Sequence, residues 1–580
     1  MAALAAAALL LGPAAAPPPA TYTAAFAELR AQSAPTGPAT LALNVERSAA
    51  VAAEAAGRGA DILVLPEYGL SGFGSGRDAW LPYLEQLPPP PPLGAEGAVP
   101  CDAPPEQYRL APSLVGLSCA ARAHAIALVA NLGDLIYCDA TPTHPGCAES
   151  RDGRLQFNTA VAFDSDGRYL ARAHKQNLWG EAGYFDEPVD CALSSFATSF
   201  VSPTGPTTHT ALPCPLARPC SDRAGCCGRQ GVEFGLFTCA DLIYDFPATA
   251  LLDRGLVNFV APMAWSDEMA QMQALPSYQA WSLSHCVNLV ATNHRGPRMS
   301  GSAALSCGRA LAATFAPGNA DGPLHLATLP AQPTAGPTPA PAAAEATAVM
   351  AAVAAAREAT ARRRGATAEP WAFARLDSSG EWQTLCSDSG DVCCTVTTLV
   401  GAGTGVGRGY VLAALDGDDR GGGIRWSGAA CGVLACAEPG PGCLDYQPPP
   451  AAEEERLAGV VMTMTTHPPI GANISVFPMA LAAGSDASEA NGRSKHGGRE
   501  PRRKDQPQQE GQQRLLEPFG PSGELEYTVL DGAPGFGFWQ LQAASLPAGL
   551  SGPLVSALLY GRVFARDELG YDCPAAERPR

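Results

Sequence analysis

Three short apolar runs each stop at a side chain capable of chemistry, and that pattern constrains the chain more than any other feature. Residues 232–247, VEFGLFTCADLIYDFP, lose their apolar character at Thr238-Cys239 and continue into a polar, Pro-punctuated segment. Residues 60–72, ADILVLPEYGLSG, hold a run from Ile62 to Leu65 that Pro66 closes just before Glu67. In residues 168–188, RYLARAHKQNLWGEAGYFDEP, alternating character ends at His174-Lys175. Short apolar runs of this kind read as buried parallel strands. Ligands of such sheets sit beyond the carboxyl ends of the strands. Glu67, Lys175 and Cys239 are therefore expected where a nucleophile and its partners would be useful, although singly each has a commoner explanation. A cysteine is usually a small buried hydrophobe, and a lone Glu or Lys usually lies on the surface.

With their flanks, Glu67, Lys175 and Cys239 resemble the Glu-Lys-Cys triad of the nitrilase superfamily of carbon–nitrogen hydrolases. HKQNL at 174–178, FGLFTCADLIYDFPA at 234–248, APMAW at 261–265 and RMSGS at 298–302 are similar to the motifs of one branch, the vanin/biotinidase group of secreted amidases. In the C-terminal half, CSDSGDVCC, YVLAALDG, NISVFP and SALLYGRVFARD resemble that group as well, so the similarity runs from about Thr21 to about Asp567.

Helix and strand signals alternate through the first half. Asn44–Ala56, Leu114–Ala123, Ala248–Arg254 and Tyr278–Cys286 read as helices. Ile62–Leu65, Ile126–Leu132, Leu256–Pro262 and Val287–Thr292 read as strands, and Gln156–Phe163 with Tyr169–Ala173 as a hairpin about 164–167. That order predicts an α/β domain with buried sheets. The resemblance makes it a nitrilase-type αββα sandwich, which periodicity alone does not specify. Beyond it, Trp382–Cys386, Cys394–Val400, Tyr410–Asp416, Phe536–Gln542 and Leu554–Phe564 are short strand-like runs between Gly and Asp, hence a β-rich C-terminal domain. The expected division is a signal peptide at 1–20, a hydrolase domain at 21–326, an Ala/Pro-rich linker at 327–370 and a β-rich vanin-type domain at 371–580. A low-complexity insertion is expected at 484–515, and a Cys/Pro-rich one at 201–231.

Composition narrows the partners. Lys and Arg number 38 against 56 Asp and Glu, a net charge of −18 that repels phosphate backbones and argues against nucleic acid. Residues 1–16, MAALAAAALLLGPAAA, read as a secretory signal peptide too short to remain as a bilayer anchor, so the product is expected to be secreted, without a permanent membrane anchor. The 19 cysteines are an odd number and fit disulfides with one thiol left over. Cys101/Cys119 and Cys138/Cys147 suit short disulfide-closed loops, whereas Cys286 and Cys307 could equally stay reduced. Cys214, Cys220, Cys226 and Cys227 show no repeated C-x2-C spacing, so no metal is expected, and no cofactor. Asn473-Ile474-Ser475 is a glycosylation acceptor.

The resemblance implies amide hydrolysis through a Cys239 thioester, with Glu67 as general base and Lys175 facing the oxyanion. Glu181 is the candidate second carboxylate, and Trp179 and Trp265 are candidates to line the pocket. A vitamin conjugate is the implied small-molecule substrate, pantetheine or biocytin. The free thiol of the cysteine count would be Cys239. A Cys–His alternative would need His124, His174, His285 or His294, none of which carries a supporting motif. The competing class is an inactive secreted binding or scaffold protein on the same fold.

Overall fold

The structure is a computed structural model. It describes residues 20–74, 76–91, 98–139, 144–200, 231–266, 272–296, 299–334, 356, 371–376, 382–399, 409–421, 424–436, 438–444, 459–466, 474–483, 516–518, 524–529, 537–544 and 554–563. The expected signal peptide, Asn473, the 484–515 insertion and the four cysteines of the 201–231 insertion lie outside the described residues, as does nearly all of 335–370.

Two sheets carry the N-terminal half. The first contains β1 (Thr21–Ala27), β2 (Ile62–Val64), β3 (Leu84–Glu85), β4 (Ala127–Tyr137), β5 (Arg154–Phe163), β6 (Tyr169–His174) and the late strand β13 (Leu324–Pro330). Its order is β13-β1-β2-β4-β5-β6, with β1, β2 and β4 parallel, while β3 pairs with β4 off that path. The second contains β7 (Ser194–Ala197), β8 (Glu233–Leu236), β9 (Asn258–Met263), β10 (Asn288–Asn293), β11 (Ser302–Ser306) and β12 (Arg309–Thr314). Its order is β12-β11-β10-β9-β8-β7, with β8, β9 and β10 parallel.

Side chains alternate across each sheet as the pleat requires. Ile62, Val64, Ala127 and Val129 meet Phe234, Leu236, Val260 and Val290 in the layer between the sheets. Their neighbours Leu63, Leu65, Leu128 and Ala130 face outward onto α1 (Gly37–Gly57) and α3 (Pro112–His124). On the opposite flank Phe259, Ala261, Leu289 and Ala291 face α5 (Ala274–His285). Helix, sheet, sheet and helix make the αββα sandwich. The short helices α2 (Arg77–Trp80) and α4 (Ala250–Asp253) belong to connections at its edges. α1 begins well before the expected Asn44, because Thr36 Oγ1 accepts the Ala39 N–H and Pro38 is tolerated in a first turn. After Cys239 the chain makes a 3-10 turn, Cys239–Ile243.

The C-terminal half is β-rich, in two antiparallel sheets. One joins Trp371–Arg375, Tyr410–Gly421, Ile424–Ala435, Leu554–Val563, Ile474–Ala483 and Leu516–Pro518. The other joins Gln383–Cys386, Val392–Leu399, Gly459–Thr466, Gly537–Ala544 and Glu524–Val529. The Cys394–Cys431 disulfide ties the two sheets together. Trp371, Val411, Ala413, Leu415, Ala430 and Leu434 share one apolar core with Leu275, Tyr278 and Trp281 of α5. Cys101–Cys119 and Cys138–Cys147 are bonded, and so are Cys286–Cys307, for which the sequence left reduction open. Among the described residues Cys239 is the one free cysteine, and no helix is long and apolar enough to cross a membrane.

Phe259 is fully buried against Phe237 and Trp281 in the layer outside the second sheet. Phe259→Ala is expected to cost about 3–5 kcal/mol, read as a lowered urea midpoint.

Candidate active site

Glu67, Lys175 and Cys239 arrive from three strand ends and line one cavity of about 440 Å3. Glu67 follows β2 after Leu65 and Pro66, and its backbone N–H donates to Met263 O at the end of β9 (3.2 Å), so one bond spans both sheets at the site. Lys175 follows β6, and its N–H donates to Asn158 O at 2.8 Å. Cys239 follows β8 with φ of +50°, a left-handed conformation that costs on the order of 1 kcal/mol for a side chain with a Cβ. That turn presents the sulfur to the cavity instead of continuing the strand.

The Lys175 ammonium lies between two carboxylates. It donates to Glu67 Oε1 at 2.9 Å and to Glu181 Oε2. Both carboxylates are buried, and Lys175 is 3% exposed. Asn158 Nδ2 bridges the same pair, at 2.6 Å from Glu67 Oε1 and 2.8 Å from Glu181 Oε1. Burial pushes the Glu67 carboxyl above the usual carboxylate range, against the pull of the Lys175 charge, and the Glu181 charge pushes it further. Burial alone would lower Lys175, but the charges of Glu181 and Glu67 prevail and hold it well above the ordinary lysine value. Burial followed by the Glu67 charge keeps the Cys239 thiol well above its usual value, against the opposing pull of Lys175 and the Ala264 N–H. Burial and the surrounding charges favour a neutral thiol beside a strengthened base over a thiolate paired with a cation.

Asp241 joins the Cys239 turn to the Lys175 loop. Its Oδ1 accepts the N–H groups of Gln176 (3.1 Å) and Asn177 (2.9 Å) and the Asn177 side chain (2.8 Å), while Oδ2 accepts the Thr238 N–H (3.1 Å). Trp179 and Trp265 line the cavity with Tyr68, Phe73, Trp80, Tyr184, Ile243, Met272 and Met299. The Trp265 indole N–H donates to Met272 O at 2.6 Å, which fixes that ring as a wall. No histidine is among the described lining residues. His174, beside Lys175 in sequence, turns away to Asp134 (2.9 Å) and stacks on Phe157, which removes it as a partner for Cys239.

Sequence reasoning missed Asn131, Asn158, Tyr68 and Asp241. Tyr68 adjoins Glu67 and Asp241 follows Cys239 within the same motif, so proximity was their only signal. Asn131 and Asn158 sit inside apolar strands, where an unexplained buried amide is itself a signal.

The carbon–nitrogen hydrolase family profile matches residues 29–302, which hold all three strand-end side chains. Mus musculus pantetheinase is 34% identical over 251 residues, 43% of this chain and 41% of that protein. Takifugu rubripes biotinidase is 34% identical over 248 residues, 43% and 42% of the two chains. Homo sapiens pantetheinase is 31% identical over 283 residues, 48% and 47%. Residues 29–302 thus match a carbon–nitrogen hydrolase domain, and in this half the chain is similar to pantetheinases and biotinidases. The matched stretch spans less than half the length of these curated relatives. An amidase from Nesterenkonia sp. superposes with a TM-score of 0.33 at 18% identity, covering 54% of this chain and 92% of that one.

Asp241→Ala would leave its N–H donors at 176, 177 and 238 without an acceptor. It is expected to destabilise the protein by on the order of 3 kcal/mol, measured by urea unfolding.

Proposed function

We propose that this protein hydrolyses a linear amide of a small molecule through a Cys239 thioester. The observation that supports the reading best is the Lys175 ammonium held between Glu67 and Glu181 in the cavity that Cys239 opens into. Glu67 takes the thiol proton as the sulfur attacks the amide carbonyl, and the developing oxyanion faces Lys175. Collapse of the tetrahedral species breaks the C–N bond, and Glu67 returns the proton to the departing amine. Water, deprotonated by the same carboxylate, then attacks the thioester and releases the acid and the thiol. The raised basicity of Glu67 suits it to a thiol that burial keeps protonated.

A vitamin conjugate is the proposed substrate, either pantetheine, cleaved to pantothenate and cysteamine, or biocytin, cleaved to biotin and lysine. The names of the relatives support both, and the cavity has the volume of a small-ligand site. Turnover of the two conjugates by purified protein, assayed side by side, decides between them. We further propose a secreted product with a glycan on Asn473, in keeping with six disulfides among the described residues. The proposed division remains a hydrolase domain to about 326 and a β-rich domain from 371.

Cys239→Ala is expected to abolish turnover with the fold intact, and Glu67→Gln to do the same while slowing iodoacetamide alkylation of Cys239. Lys175→Met should impair turnover strongly yet leave some alkylation, because alkylation forms no oxyanion. Intact mass after brief mixing with substrate should show the acyl group on Cys239. Full activity of Cys239→Ala, or an adduct on another residue, would contradict the thioester route.

The pH dependence follows from the direction of the Glu67 shift. A carboxyl pushed up is still protonated where an ordinary one has ionised, so the acidic limb of kcat/KM should lie above about 4.3, the ordinary glutamate value. A limb at or below that value would remove Glu67 as the base.

A further inference from the structure

The two carboxylates that share Lys175 are not equivalently surrounded. Glu181 is occupied on both oxygens: Oε1 by the Tyr68 hydroxyl and Asn158 Nδ2, Oε2 by Lys175 and the Trp179 N–H at 3.1 Å. Glu67 receives Lys175 and Asn158 on Oε1 alone, and its buried Oε2 has no hydrogen-bond partner among the described residues.

A directional chain of hydrogen bonds produces this asymmetry, and it begins at a group whose direction cannot reverse. The backbone N–H of Tyr68 donates to Asn131 Oδ1 at 3.0 Å. A backbone N–H can only donate, so the oxygen of Asn131 must face it and the amide nitrogen must face the other way. That nitrogen donates to Asn158 Oδ1 at 2.7 Å, which turns Asn158 Nδ2 toward the carboxylates and the Tyr68 hydroxyl, the latter 3.1 Å away. Asn158 Nδ2 shares two hydrogens among three oxygens and cannot accept, so the single proton of the hydroxyl goes to Glu181. Tyr68 itself is left-handed, at φ of +58°, and from that turn its ring and the Glu67 side chain enter the site together.

We propose that Asn131, Asn158 and Tyr68 form a one-way relay that keeps the Tyr68 O–H on Glu181, and so assigns the exchangeable proton of the carboxylate pair to Glu67. Tyr68 is then a positioning residue, acting through Glu181. A proton on Glu181 would have to displace a donor already in place, whereas Glu67 Oε2 is vacant. The charged and titratable groups facing Glu67 are Lys175 after β6, Glu181 in the following loop, Tyr68 in its own turn and Cys239 after β8; Asp241, beside the Cys239 turn, feels the Lys175 charge. The activity readout rests on the amide-hydrolase reading above.

Tyr68→Phe removes one donor from Glu181 and lets that carboxylate compete for the proton, so the pair as a whole retains a proton to higher pH. The acidic limb of kcat/KM is expected to move up by about one pH unit, roughly the worth of one hydrogen bond to a carboxylate. The pH profile of Cys239 alkylation by iodoacetamide should move in the same direction, and it requires no turnover. In a Glu181→Gln background Tyr68→Phe should produce no further movement of that alkylation profile, because its route of action is gone. An unmoved limb in folded Tyr68→Phe, or a shift of equal size in the Glu181→Gln background, overturns the relay. If wild type turns over no amide while the alkylation limb still shifts as described, the hydrolase reading fails and the relay stands. Should Tyr68→Phe not fold, infrared titration applies instead. The protonated-carboxyl band is expected to vanish in Glu67→Gln and persist in Glu181→Gln; the reverse pattern overturns the proposal.

Discussion

The structure around the site depends on one buried ammonium. Lys175 is withdrawn from water, and an unpaired charge in that position would cost several kcal/mol. It is tolerated because two carboxylates and an ordered amide surround it, and these come from distant parts of the chain: Glu67 after β2, Asn158 on β5 and Glu181 in the loop after β6. Bringing them within hydrogen-bond distance requires the first sheet to hold its order. Aligning that group with Cys239 requires the second sheet to sit in fixed register over the first, which the alternating apolar layer and the Glu67–Met263 backbone bond both enforce.

The same charge arrangement sets the character of the sulfur. Thiols in many reactive sites are activated by a neighbouring cation that stabilises the thiolate. Here the cation is already shared between two carboxylates, and burial together with the Glu67 charge favours the protonated sulfur. In the proposed reaction the sulfur therefore becomes reactive as its proton passes to Glu67. The aromatic walls, among them Tyr68, Trp179, Tyr184 and Trp265, give that transfer an apolar setting in which a fixed dipole or charge acts more strongly than in water.

The sequence shows the places where chemistry-bearing residues leave strands more clearly than it shows what surrounds them. Glu67, Lys175 and Cys239 are each preceded by a short apolar run, and a strand end is a local property. Asn131 and Asn158 are legible only as polar interruptions, because their partners lie on other strands and strand pairing is non-local. The helix signals fall short at the ends. α1 starts at Gly37 because a Thr36 cap and Pro38 together initiate it, and Pro112 likewise opens α3. β4 runs on to Tyr137, past the expected Leu132, since pairing with β5 carries it through Gly133 and Asp134 to Leu135 and Ile136. In the C-terminal half, Ile424–Ala435 is rich in small residues and owes its strand to its neighbours in the sheet, whereas Gly459–Thr466, GVVMTMTT, carries a β-branched strand signal of its own.

The shared core beside α5 has a consequence for the cavity wall. Met272 lines the cavity, holds the Trp265 indole through its carbonyl, and belongs to the same apolar cluster as Trp371, Val411 and Leu415 of the C-terminal sheet. Among the described residues that cluster runs without a break from cavity-facing side chains to those of the β-rich half. The C-terminal region is thus part of the mould in which the pocket is cast. Variation far along the chain, in strands that hold no reactive group, has a direct mechanical route to the shape of the space in front of Cys239.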